Sequence, residues 1–212
     1  MKFLKLTLVG ILAAFVFIAI LVVVVYIKNA SCYEMLPEPP NDKTTVHGVT
    51  TIDDAIAKVK EKDLASWSLV DYSQKLVAEK MPFSLCNNFD MPERAFERGM
   101  GYSWQQSAAL KQILDSFGIE SKLVHASEVK MPADTLYGVK LGERMSGHIW
   151  LQVTINDTEK DVCPGDIENT PGVVHFSPVS EVSEFGDVTE IISFIGSAWV
   201  NAEKYLEIQR KK

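Results

Sequence analysis

Cysteine is scarce in this chain, and the three present, Cys32, Cys86 and Cys163, form no C-x-x-C pair. The four histidines, His47, His125, His148 and His175, are scattered without metal-ligand spacing. Both scarcities argue against a structural zinc site, which gathers four thiol and imidazole ligands at short, regular intervals. The sequence thus predicts no metal and no cofactor. Basic residues are in deficit as well: 21 Lys and Arg face 28 Asp and Glu, for a net charge of −7. Lys2 and Lys5 precede the first apolar run, so the remainder is more acidic still. That balance disfavours nucleic acid and anionic surfaces as partners. Internal repeats and low-complexity tracts are lacking too.

What the chain does have is a long apolar run near its start. Leu6 to Ile27 is uncharged over 22 residues. At about 1.5 Å per helical residue it would reach about 33 Å, the thickness of a bilayer's hydrocarbon core. A cleavable signal peptide has a shorter apolar core, about 7–15 residues, before an A-x-A-like site. This run ends instead in Tyr26-Ile27-Lys28. The expectation is a retained single-pass anchor over 6–27 behind a short cytoplasmic tail, 1–5. Lys2, Lys5 and the terminal amine outweigh Lys28, which orients the N-terminus to the cytoplasm and the rest outside. The expected localisation is therefore the cell membrane, with an extracytoplasmic C-terminal domain. Asn29-Ala30-Ser31-Cys32 faintly resembles a bacterial lipobox, with Asn29 where Leu or Val would stand. Outside the membrane a Cys86–Cys163 disulfide is chemically allowed, although connectivity cannot be read from sequence.

Residues 28–46 hold Pro37-Glu38-Pro39-Pro40-Asn41-Asp42, a stiff polar tether. The globular domain is expected over 47–212, helical in its first half. Thr51-Ile52-Asp53-Asp54 reads as a capped helix start. A second helix is predicted from Leu64 to Glu79, stopping before Met81-Pro82, and a short one from Glu93 to Glu97, after Pro92 and before Gly99. The helix after Gly101 puts Leu110, Ile113, Leu114 and Phe117 on one stripe and ends at Gly118. The period then changes. Lys122 to Ala126 is strand-like, and His148 to Ile155 alternates, with Ile149, Leu151, Val153 and Ile155 on one face. Asn156-Asp157 is turn chemistry, and Lys160 to Cys163 resumes a strand. A further strand is read at Val173 to Val179 and a closing helix at Val188 to Gln209. Helices first and an antiparallel sheet afterwards make an α+β domain.

A nucleophile at a helix start, a histidine opening a later strand and an aspartate on the next one can supply attacking atom, base and orienter. Here these are Ser103, His148 and Asp161. The pieces that carry them are Gly101-Tyr102-Ser103-Trp104, Ala108-Ala109-Leu110, Phe117-Gly118-Ile119, Gly147-His148-Ile149-Trp150 and Asp161-Val162-Cys163-Pro164. In this order they resemble the core of the transglutaminase-like superfamily, which is papain-related, over about residues 92–165. The resemblance implies a helix bearing the nucleophile, packed on an antiparallel sheet. It also implies catalytic roles for Ser103, His148 and Asp161. A small shift of register would put Cys163 in the aspartate's place. Oxyanion and cleft candidates are the Ser103 backbone N–H, Trp104 and Trp150, and Cys163 is an alternative thiol.

The family's nucleophile is cysteine, and here the position holds Ser103. A thiol at a helix N-terminus beside histidine gains thiolate character, whereas a hydroxyl must pass its proton to histidine during attack. Ser103 and Gln106 also read as a Ser-x-x-Gln capping box, which accounts for the serine without catalysis. The favoured expectation is a non-catalytic or impaired pseudoenzyme that binds a peptide, protein or cell-envelope ligand. The alternative is an active acyl-transfer enzyme, a peptidase, amidase or transglutaminase-like catalyst, using Ser103, His148 and Asp161.

Overall fold

The computed structural model describes residues 13, 15–20, 23–24, 45–84, 90–136, 139–186, 208 and 210. Of the apolar run 6–27, the described positions are helical and exposed, Phe15 at 69% and Ile20 at 56% among them. Among the described residues no helix is long and apolar enough to cross a membrane. This finding corrects the expected single-pass anchor. It also corrects the expected fold class, which placed a transmembrane helix ahead of the domain, and the expected cell-membrane localisation with an extracytoplasmic domain. Cys32 and nearly all of the tether 28–46 lie outside the described residues, as do Cys86 and most of the closing helix at 188–209.

The described domain mixes helices with an antiparallel sheet. Four helices come first: α1 (Ile52–Lys60), α2 (Ser66–Lys80), α3 (Pro92–Arg98) and α4 (Ser103–Asp115). Local chemistry sets their ends. Thr51 Oγ1 accepts from Asp54 N–H at 3.1 Å while Asp54 Oδ2 accepts from Thr51 N–H at 2.8 Å, a reciprocal cap that satisfies two orphan donors. Pro92 opens α3, where a missing N–H costs nothing, and Gly99 closes it at φ 77°, which only glycine adopts without a Cβ penalty.

The strands follow: β1 (Glu120–Met131), β2 (Asp134–Leu136), β3 (Val139–Leu141), β4 (Arg144–Ile155), β5 (Thr158–Val162), β6 (Ser177–Pro178) and β7 (Ser183–Glu184). The main sheet runs β5-β4-β1-β6, with β7 also on β1, while β2 and β3 form a separate ribbon. Asn156 and Asp157 take φ values of 49° and 59°, the left-handed pair that a two-residue hairpin loop requires between β4 and β5. Register pairs Gln152 with Asp161 and Leu151 with Val162. The strand expected at 173–179 shrinks to Ser177–Pro178, because Pro178 has no N–H to extend the ladder.

Alternation gives the sheet two unlike faces. Leu151, Val153 and Val162 are fully buried in one core with Leu110, Ile113 and Leu114 of α4. On the other face Trp150 and Cys163 pack with Val124, Ala126, Val129 and Phe176. The Ser107 hydroxyl donates to the Ile149 carbonyl at 3.2 Å, near the start of β4. That bond ties α4 to the residue that follows His148.

Candidate functional site

The start of α4 is fixed by a crossing of two segments. Gly101 forms a bridge with Phe83, and Ser84 N–H donates to the Gly101 carbonyl at 2.9 Å. A Cβ at Gly101 would stand 2.6 Å from Met81 Cε and 3.1 Å from Gln105 Cβ, so this close approach calls for glycine. The same crossing holds Tyr102 extended (φ −96°, ψ 174°), which makes Tyr102 the N-cap and Ser103 the first helical residue. Gln105 reaches back, accepting from Tyr102 N–H at 3.1 Å. Gln106 instead donates to the Met81 carbonyl at 2.6 Å. The expected Ser103–Gln106 capping box is thus displaced by one residue, and Ser103 is half-buried at the helix start without being its cap.

The sheet brings four of the expected site residues onto one face. His148, Trp150 and Gln152 alternate along β4, and Asp161 and Cys163 face them from β5 and the turn beyond it. Asp161 Oδ1 accepts from Trp150 Nε1 at 2.8 Å and from Gln152 Nε2 at 3.2 Å. Trp150, fully buried, spends its indole N–H on that carboxylate. Among the described residues Trp104 Nε1 has no hydrogen-bond partner, so of the two tryptophans it is the one with a donor to offer. His148 is 7% exposed, and its Nε2 lies 3.3 Å from Cys163 Sγ. Its ring meets Phe176 edge-on, centroids 4.5 Å apart, and stacks beside Trp150 at 6.0 Å.

A buried amide clamp holds the turn that carries Cys163. The Cys163 N–H donates to Gln74 Oε1 at 3.2 Å, and Gln74 Nε2 donates to the Asn169 carbonyl at 2.7 Å. Asn169 Nδ2 in turn donates to the Cys163 carbonyl at 2.8 Å and lies 2.9 Å from His175 Nδ1. Gly165 folds the chain so tightly that an added Cβ would sit 3.2 Å from His175 Cε1 and 3.3 Å from Cys163 Sγ. Gln106 Oε1, buried and without a hydrogen-bond partner among the described residues, approaches the same point at 3.9 Å. Sequence reasoning missed Gln74, Asn169 and His175 as parts of this cluster. Pro164-Gly165 marks a turn, but nothing in it says which helix the turn is tied to.

Electrostatics make Cys163 a thiol and not a thiolate. It is a free cysteine, 1% exposed, and burial pushes it up to about 12. The Gly165 N–H pointing at Sγ pulls the other way but is outweighed, and the charges of Asp166 and Asp161 push it further up. Cys163 is free, and Cys86, the partner that the sequence allowed it, lies outside the described residues. Burial also lowers His175 below the ordinary histidine value, against the attraction of Asp166 and Asp134. Among the described residues no group of three or more His, Cys, Asp or Glu is arranged to hold a metal ion. No protein-family model matches the chain, and no curated protein matches its sequence.

Proposed function

We propose that this domain binds a peptide or protein segment without turning it over, on a scaffold resembling the transglutaminase-like, papain-related fold. One observation carries the reading: a buried neutral thiol, Cys163, stands 3.3 Å from His148 Nε2. If Cys163 were the nucleophile, it would need thiolate character and access to substrate, and it has neither. If it stood as orienter, a neutral thiol would lend no charge to steady the imidazolium that forms during acyl transfer. Both roles therefore fail on the same group. The test is to incubate the full chain with a peptide library, with and without an amine acceptor. Peptides should be retained, and no hydrolysis or transfer should depend on His148; turnover that disappears in His148→Ala would overturn the proposal.

The acyl-transfer alternative keeps one observation in its favour. Ser103 is not spent as the helix cap, and it opens α4 where backbone N–H groups have no intrahelical partner. On that reading Ser103 attacks, with His148 as base and Asp161 as orienter. Covalent labelling of Ser103 by a serine-directed acyl probe would favour it over binding alone.

A further inference from the structure

The amide of Asn169 stands between two acceptors. Its Nδ2 is 2.8 Å from the Cys163 carbonyl, where only a donor fits, so the same NH2 group meets His175 Nδ1 at 2.9 Å as a donor. Neutral His175 is thereby held with Nδ1 accepting and its proton on Nε2. The amide oxygen is close as well, 3.3 Å from Nδ1. Several charged or titratable groups surround the ring. His148 on β4 meets it edge-on at 6.0 Å, and the neutral Cys163 thiol lies beyond Gly165. Asp166 from the turn and Asp134 on β2 favour a charge there, and Arg144 at the start of β4 opposes it.

We infer that Asn169 and His175 form a proton-operated latch on the turn after β5. A proton gained at Nδ1 sets two donors face to face at hydrogen-bond distance, which is repulsive. The Asn169 oxygen, already 3.3 Å from Nδ1, swings in to accept the new proton, and that rotation draws Nδ2 off the Cys163 carbonyl. That carbonyl is buried and loses its partner, so the turn from 163 to 169 loosens. Cys163 is also the residue facing His148 Nε2, so the proton on one histidine resets the surroundings of the other. The latch operates whether or not the cleft binds a peptide.

Hydrogen exchange in the full chain tests it, with amides 163–169 followed from about pH 7.5 to about pH 5 and corrected for intrinsic exchange. Protection should fall at least about tenfold on acidification, with the same midpoint as the His175 imidazole proton signal. His175→Gln, which gains no proton in this range, should keep its protection throughout. Unchanged protection in the wild-type chain, or a midpoint differing from that of the His175 signal, would overturn the inference. So would an equal loss in His175→Gln. The two wild-type measurements decide the matter even if that variant does not fold.

Discussion

The two faces of the β4–β5 hairpin are made from alternate residues of the same strands, yet they hold together by different means. Leu151, Val153 and Val162 are fully buried against α4 and make only apolar contacts there, so their stabilisation scales with the area and volume they fill. His148, Trp150, Asp161 and Cys163 face the other way, among hydrogen bonds that leave a costly orphan whenever one partner is removed. The first face asks only for apolar side chains of similar volume. The second depends on which atom donates and which accepts.

Truncation on the apolar face should give the largest loss. Leu151→Ala is expected to cost about 2–5 kcal/mol, measured by urea unfolding, because buried methyl groups are lost and their packed surroundings relax only partly into the cavity. Leu151→Met, which conserves volume, should cost under about 1.5 kcal/mol. If the two substitutions were equally harmful, the contrast between the faces would not hold.

Gln74→Met is the matching substitution on the polar side. It keeps the volume and removes both clamp bonds, stranding the Cys163 N–H and the Asn169 carbonyl in a buried turn. An orphaned buried group costs about 1–3 kcal/mol, so this conservative change should hurt where Leu151→Met does not. Urea unfolding of both variants under one set of conditions checks the comparison. A Gln74→Met chain as stable as the wild type would show that the clamp contributes packing alone.

Acid should also distinguish the faces. His175 and His125 are both lowered by burial, so the folded chain binds fewer protons than the unfolded one between their folded values and about 6.5. Stability is then complete above about pH 6.5 and declines as pH falls toward the folded values, by no more than about 1.4 kcal/mol per pH unit for one group. His175→Gln should shallow that decline without abolishing it, since His125, beside Phe185 on β1, still contributes. A decline unchanged in His175→Gln would place the acid sensitivity elsewhere.

The sequence revealed the faces themselves better than the polar partners. Period-two alternation marked β4, the Asn156-Asp157 turn marked the hairpin, and Pro92 with Gly99 framed α3, because each signal is local. The clamp was illegible because Gln74 meets Cys163 across 89 positions of chain. Glutamine in a helix carries no mark of being buried. The aspartate of the expected triad could be placed by register but not by partner, and its carboxylate proves to receive Trp150 and Gln152. The apolar run 6–27 is the opposite failure: hydropathy and length predicted a membrane span, and no helix among the described residues meets that requirement.

Ser103 gives the smallest expected effect and the sharpest use of it. A serine that caps a helix typically loses about 1 kcal/mol on conversion to alanine. Tyr102 is the cap here, and Gln105 supplies the reach-back bond, so Ser103 lies inside the first turn, where its hydroxyl is not needed to satisfy the ladder. Ser103→Ala should therefore change stability by less than about 0.5 kcal/mol, as a substitution away from any cap or core contact does. Thermal and urea unfolding against the wild-type chain would check this. A loss near that of a true cap would return the serine to the role of Ser-x-x-Gln capping and undo the one-residue displacement at Tyr102. A negligible loss would leave the hydroxyl with no structural duty, so any effect of Ser103→Ala on peptide retention or acyl-probe labelling would then report on the site alone.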